Sequence, residues 1–186
     1  MAEISAQLRQ FSRKSGESLT AVSVPACIDY ALRLFQARLR DADVSVERQW
    51  PEEEVWVRAD LVRLEQVLVN LIGNALQAMA EVEAPRLILS IERDDTRVRL
   101  GVADNGPGIP EEHLGRIFEP FFTTKSPGSG LGLGLSISSR IIDDLGGSLS
   151  AANCPEGGAR FTIRLPRHDT PATAGTTAQQ ETLPHA

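Results

Sequence analysis

The sequence predicts an α+β fold, a two-layer sandwich in which a mixed, mostly antiparallel sheet packs on three helices. Three observations carry that expectation. Segments with apolar residues at helical spacing begin near Pro25, Asp60 and Gly132. Segments with apolar residues at every second position come as neighbouring pairs, as hairpins do, and helices and strand pairs follow one another in the order that lets one layer cover the other. The length of 186 residues, 41% of them hydrophobic, suits one buried core with short appendages.

Taken in order, "EISAQLRQFSRK" places Ile4, Leu8 and Phe11 on one helical face that needs a partner to cover it. After the turn-like "KSGES", Ser23 and Pro25 mark a helix start, and Ile28, Leu32, Phe35 and Leu39 repeat on one face. "VSVER" and "EVWVR" alternate around Pro51 and read as two short strands. "DLVRLEQVLVNLIGNALQAMAEV" is a long helix with Leu64, Val67, Leu68, Leu71, Ile72, Ala75 and Met79 on a broad apolar face. Arg63, Gln66, Asn70, Asn74 and Gln77 form a polar stripe on its other side. "RLILSIERD" and "RVRLGVAD" alternate around "DDT" as a hairpin. A glycine-rich region follows, then a helix from about Gly132 to Leu145 closed by Gly146 and Gly147. "SLSAANC" and "GARFTIRLP" form a last strand pair around "PEGG", and the Thr-, Ala-, Pro- and Gln-rich stretch after Pro166 has too little apolar content to pack.

Composition excludes several functions. A formal charge of −6, with lysine only at positions 14 and 125, argues against nucleic acid as the main partner, because phosphate backbones are held by clustered cations. Cys27 and Cys154 have no metal-ligand spacing and read as thiols in a reducing compartment. No apolar run approaches the ~20 residues of a membrane helix, and the first residues lack the apolar core of a signal peptide.

The chemistry concentrates in "VADNGPGIPEEHLGRIFEPFFTTKSPGSGLGLGLS". Asp104 ends a strand, where its carboxylate can accept a hydrogen bond from an exocyclic amine while Gly106 and Gly108 let a flat ring approach the backbone. The same residues also make an ordinary turn. "GSGLGLGLS" leads into a helix whose exposed N–H groups and dipole suit phosphate oxygens, with a flexible linker as the rival reading. It is neither a Walker loop nor a dinucleotide fingerprint. Asn70 and Asn74, one turn apart, suit Mg²⁺ already balanced by phosphates, or belong to a solvated stripe. Phe118, Phe121 and Phe122 around Pro120 read either as a lid with hinges at Gly115, Gly128 and Gly130 or as core packing. Thr124 and Lys125 follow, and the ammonium can reach a phosphate or sit solvated. His113 reads as a surface helix residue.

Together and in order, these motifs resemble the catalytic ATP-binding domain of sensor histidine kinases, a Bergerat-type fold shared with gyrase-like ATPases. "QVLVNLIGNA" is similar to the N box, "DNGPGI" to the first glycine box, "FEPFF" to the F box, "GSGLGLGLS" to the second glycine box and "GGARFTIRLP" to the last. "FEPFFTTK" and "LRQFSRK" resemble the nitrogen and C4-dicarboxylate sensor kinases most. The resemblance implies ATP and Mg²⁺ as cofactors and Asp104 as the adenine reader. It implies Asn74 as the Mg²⁺ ligand, Asn70 as its phosphate-side neighbour and Asn70 with Lys125 as catalytic residues. Gly130, Leu131, Gly132, Leu133 and Gly134 are implied as the phosphate cradle, Gly106 and Gly108 as the opening of the adenine pocket, and Phe118, Phe121 and Phe122 as the lid. Ile109, Thr124 and Thr162 are implied beside the nucleotide.

The expected organisation is the end of a dimerisation helix with a linker over 1–20, the ATP-binding domain over 21–166 and a disordered tail over 167–186. His113, His168 and His185 lie outside any His-Glu helix, so the acceptor histidine is expected on a separate dimerisation domain. That domain and a response regulator are the expected partners, with neither nucleic acid nor membrane touched by this piece. The resemblance implies a cytoplasmic domain of a longer sensor in the bacterial inner membrane. Two alternatives remain at this stage, a gyrase-like ATP hydrolase and a non-enzymatic module whose lid responds to nucleotide. Hydrolysis is disfavoured because Asn70 stands where related ATPases carry a water-activating glutamate, and an amide accepts no proton there.

Overall fold

The computed structural model describes residues 19–124 and 131–168. The expected N-terminal helix, the hinges at Gly128 and Gly130, and the tail from position 169 lie outside the described residues.

The described residues open with strand β1 (Thr20–Ser23), which the sequence reading missed because four residues are too few to show a period. Helix α1 (Val24–Leu34) follows at once: Ser23 accepts the Ala26 N–H at 3.4 Å as N-cap, and Pro25 sits in the first turn. The single helix expected through Leu39 is broken at Phe35 (φ −100°, ψ 6°), and α2 (Gln36–Asp41) buries no residue. The break turns the Phe35 ring onto the core at the place where Gly73 leaves room. A Cβ on Gly73 would lie 3.3 Å from the ring.

Strands β2 (Ser45–Gln49) and β3 (Trp56–Ala59) lead to α3 (Leu61–Ala78). Asp60 caps α3 by accepting the Arg63 N–H at 3.0 Å, and the buried face runs through Leu64, Val67, Leu68, Leu71, Ile72 and Ala75 as the spacing predicts. Hairpin strands β4 (Arg86–Arg93) and β5 (Arg97–Asp104) come next, then the single turn α4 (Glu111–Leu114). Helix α5 (Gly134–Asp144) is closed as expected by Gly146 at φ +74°, with the Gly147 N–H donating to the Ile142 carbonyl at 2.9 Å. Strands β6 (Ser148–Asn153) and β7 (Ala159–His168) end the described chain. The last strand runs two residues past the expected boundary at Pro166, because Arg167 and His168 pair with Val57 and Trp56.

The seven strands form one mixed sheet in the order β1-β3-β7-β5-β4-β2, and β6 shares the β3 edge of β7. Among the described strands only the β2–β4 pairing is parallel. Helices α1, α3 and α5 lie side by side and supply the second layer. Between the layers, Leu64, Leu68, Leu71 and Ile72 of α3 meet Leu87, Leu89, Leu100 and Ile163 of the sheet, all essentially inaccessible. Arg63 on α3 pairs with Asp144 at the end of α5 at 2.5 Å, which helps fix the angle between the two helices that bound the site. The fold is the predicted α+β sandwich.

Candidate functional site

One cavity of about 700 Å³ opens between α3, the β5–α4 loop, β7 and the start of α5. It has two chemically different ends.

At the first, Asp104 closes β5 and is only 6% exposed. One carboxylate oxygen accepts the Gly106 N–H at 2.9 Å and, more weakly, the Ala159 N–H at 3.4 Å. Burial pushes its pKa above the usual carboxylate range, while these two N–H donors pull it back. The loop beyond it is tied from several sides. Asn105 accepts the Arg86 N–H at 2.7 Å and donates to the Ala84 carbonyl at 2.8 Å. Asn153 accepts the Ile109 N–H at 2.8 Å and donates to the Ile109 carbonyl at 2.7 Å, gripping that backbone as a strand would. Gly108 (φ +79°) and Gly158 (φ +83°) adopt left-handed conformations, and a Cβ on Gly158 would run into the Asp104 carbonyl.

At the second end, α5 begins without a side-chain cap and without an acidic residue in its first turn. Gly132 (φ +65°) places its backbone against the Phe122 carbonyl, which an added Cβ would approach to 2.5 Å. A Cβ on Gly134 would instead strike the Asn70 amide oxygen. Leu131, Gly132, Leu133 and Gly134 all line the cavity, so the N–H groups of this helix start, which have no intrahelical partner, lie beside a space an anion can fill. Asn70 and Asn74 line it from α3, and the Asn70 amide donates to Ser138 at 3.0 Å.

The three phenylalanines part company. Phe118 packs on the margin of the core, Phe121 is 73% exposed at φ +66°, and only Phe122 lines the cavity. The Phe122 ring lies edge-on to His113, 5.3 Å between centroids, with the Arg116 guanidinium 4.9 Å from its centre. His113, expected at the surface, lines the cavity, and its buried Nδ1 has no hydrogen-bond partner among the described residues.

Of the residues expected beside a nucleotide, the cavity brings together Asn70, Asn74, Asp104, Gly108, Ile109, Phe122, Thr124, Leu131, Gly132, Leu133 and Gly134. Gly106 stands behind the wall and acts through Asp104, whose carboxylate and Ala78 leave no room for a Cβ. Thr162 is a correction. It alternates with buried Phe161 and Ile163 along β7 and so points to the opposite face of the sheet, whereas Ala159 and Phe161 line the cavity. Phe118 is corrected likewise from lid to core margin. Lys125 and Gly130 lie outside the described residues. Sequence reasoning missed Ser138 and Asn153, whose roles depend on partners 68 and 44 residues away.

The family model described as histidine kinase-, DNA gyrase B- and HSP90-like ATPase matches residues 59–169. The C4-dicarboxylate transport sensor protein DctB of Pseudomonas aeruginosa is 40% identical over 185 residues, which cover 98% of this chain and 30% of that protein. This chain therefore spans about a third of that relative's length. Among solved structures, full-length ShkA in complex with AMPPNP is 30% identical with a TM-score of 0.74, covering 89% of this chain and 34% of that one. Histidine kinase ThkA in complex with the response regulator protein TrrA is 32% identical with a TM-score of 0.74, covering 90% of this chain and 47% of that one.

Proposed function

Because the chain belongs to the histidine kinase-, DNA gyrase B- and HSP90-like ATPase family, we propose that it is the ATP-binding phosphoryl-donor domain of a sensor histidine kinase. The observation that carries the proposal is the polarity of the cavity. A buried carboxylate waits at one end and uncapped helix N–H groups at the other, the order in which a nucleotide presents an amine donor and an anionic chain.

Asp104 accepts from the exocyclic amine of adenine, and the Gly106 and Ala159 N–H groups keep its other lone pairs occupied so that the carboxylate cannot turn away. Ala159, Phe161 and Ile109 offer apolar surface to the ring. The start of α5 holds phosphate oxygens with backbone donors and dipole, while Gly132 lets the loop pack on the Phe122 backbone and Gly134 leaves room for the Asn70 amide. The residues fit a divalent cation as well: Asn70 and Asn74 supply neutral amide oxygens, which suits Mg²⁺ carrying most of its charge balance on phosphate. When bound, Mg²⁺ neutralises the phosphate charge that would otherwise repel an incoming nucleophile. Rate then comes from positioning the terminal phosphate for a histidine ring nitrogen of a partner domain. Thr124 stands at the cavity wall, and Lys125 follows it as the cation for the phosphates.

Self-contained hydrolysis is the weaker reading. Among the described residues lining the cavity Asp104 is the sole carboxylate, and it is fixed by backbone donors at the adenine end, so no described carboxylate is placed to take a proton from water at the phosphates. The full-length protein is proposed to be an inner-membrane sensor with this domain in the cytoplasm, signalling to a response regulator. No helix among the described residues is long and apolar enough to cross a membrane. The support is the DctB likeness and the response-regulator complex of the similar ThkA. Calorimetry with ATP and Mg²⁺, followed by transfer of labelled phosphate to an added histidine-bearing dimerisation domain, tests the proposal. Binding with transfer and negligible phosphate release is the expected result, and rapid release by the isolated chain would overturn it.

A further inference from the structure

We propose that Ser138, in the second turn of α5, decides which end of the Asn70 amide faces the phosphate half of the cavity, and so sets how strongly nucleotide binding depends on divalent metal. The inference rests on the nucleotide-binding reading above. An asparagine amide carries an oxygen and an NH₂ group of nearly equal size, and only its hydrogen bonds determine which points where. A hard cation is ligated by the oxygen and repelled by the NH₂ group.

Two polar side chains among the described residues are buried, Asp104 and Ser138, and both line this cavity. Ser138 is 2% exposed, and a hydroxyl buried without a partner costs about 1–3 kcal/mol by mutational measures. Its oxygen takes the Asn70 Nδ2 donor at 3.0 Å. A hydroxyl can accept from the NH₂ group or donate to the amide oxygen, and here it accepts, which places the NH₂ group on α5. The Asn70 oxygen is left beside Gly134, the first residue of the same helix, where an added Cβ would strike it. The metal-ligating atom is thereby held at the phosphate-binding turn before any ligand arrives. Ser138 touches neither metal nor phosphate in this arrangement, and it is a positioning residue. Replaced by an apolar side chain, it would leave Asn70 free to present its NH₂ group, which suits bare phosphate and opposes a cation.

The test uses the whole chain and titrates ATP by calorimetry, once with excess Mg²⁺ and once with the metal chelated. Ser138→Ala should weaken binding about tenfold with Mg²⁺, the low end of what losing the partner of a metal ligand costs, and little without it. On an Asn70→Ala background the same change should have no further effect, since the group it orients is gone. Ser138→Thr, which keeps the hydroxyl, should restore the metal dependence. In the ligand-free protein the Asn70 side-chain amide resonance, assigned by its loss in Asn70→Ala, should move in Ser138→Ala. Equal losses with and without metal, undiminished loss on the Asn70→Ala background, or an unmoved amide resonance would each overturn the proposal. Should Ser138→Ala fail to fold, Ser138→Cys carries the same contrast, because a thiol is a weaker acceptor of similar size. A parent chain that binds no ATP under either condition would sink the functional reading, while the ligand-free resonance would still report whether Ser138 engages the Asn70 amide.

Discussion

The two ends of the cavity both use glycine, for opposite reasons. At the Asp104 end, proposed to take adenine, Gly158 makes room for the chain itself, since the Asp104 carbonyl occupies the space a Cβ would need. That end is locked by protein-to-protein bonds: Gly106 and Ala159 hold Asp104, Asn105 holds β4, and Asn153 holds Ile109. At the opposite end, the atoms nearest a Cβ on Gly134 belong to the tip of the Asn70 side chain, and the helix it starts has no side-chain cap. One end is held by bonds within the fold, whereas the other is a helix start without a side-chain cap. Substitutions should therefore harm stability at the first and affinity at the second.

The largest effect expected is Gly158→Ala. A non-glycine residue at φ +83° costs about 1–3 kcal/mol, and displacement of the Asp104 backbone adds to that. Gly157 is the internal control. It has φ +99° and nothing within 4 Å of an added Cβ, so Gly157→Ala carries strain alone. Denaturant unfolding should show Gly158→Ala clearly less stable than Gly157→Ala, and equal losses would mean the contact with Asp104 is not constraining.

Next in size is Asp104→Asn. Losing a charged acceptor for the adenine amine should reduce ATP affinity by about 1.5–3 kcal/mol, with relaxed discrimination against guanine nucleotides. The fold should not suffer in proportion, because an amide oxygen still accepts the Gly106 N–H and no buried charge remains. Competition titrations with ATP and GTP measure both effects. A variant that unfolds while its folded fraction binds ATP normally would assign Asp104 to the fold instead of the ligand.

Third is Gly134→Ala, which sharpens the contrast most. Alanine is the better helix former by about 1 kcal/mol, so thermal stability should hold or rise. The new methyl group meets the Asn70 oxygen at the phosphate-binding turn, and affinity for ATP with Mg²⁺ should fall at least about tenfold, or ~1.4 kcal/mol. Loss of stability at unchanged affinity would erase the distinction between the two ends.

What the sequence made legible follows the same division. The first glycine cluster, the described part of the second from Leu131 to Gly134, the α3 face and the carboxylate at the end of β5 are local patterns, and each lies where its spacing predicts. What was not legible depends on distant partners. The break at Phe35 answers to Gly73, and Ser138 matters because Asn70 lies across from it on another helix. Thr162 was misplaced by a single strand position: alternation along β7 gives the cavity to Ala159 and Phe161 and turns Thr162 to the opposite face. Phe118, Phe121 and Phe122 looked equivalent in a segment without periodicity, and only packing separates them.

The smallest effect is a pH dependence that the locked end alone should show. Burial raises the Asp104 pKa above its ordinary 3.8, and the Gly106 and Ala159 N–H donors only partly oppose this. A carboxyl group with a raised folded-state pKa contributes stability that is fully present below the unfolded pKa and is lost as pH rises through the folded pKa. The ligand-free domain should therefore lose a little stability as pH climbs above the ordinary carboxylate range, and Asp104→Asn should remove that component of the slope. Adenine reverses the sign. Its amine donates to the ionised form, so binding pulls the pKa back down, releases a proton and strengthens as pH rises over the same window. At the phosphate end the described lining residues include no carboxylate, so Gly134→Ala should leave both slopes unchanged. Unfolding and ATP titrations of parent, Asp104→Asn and Gly134→Ala across the acid range, with proton release read from buffers of different ionisation enthalpy, measure this. A parent whose affinity is flat through that range would show that the carboxylate is already ionised without ligand and that its burial costs the folded domain nothing.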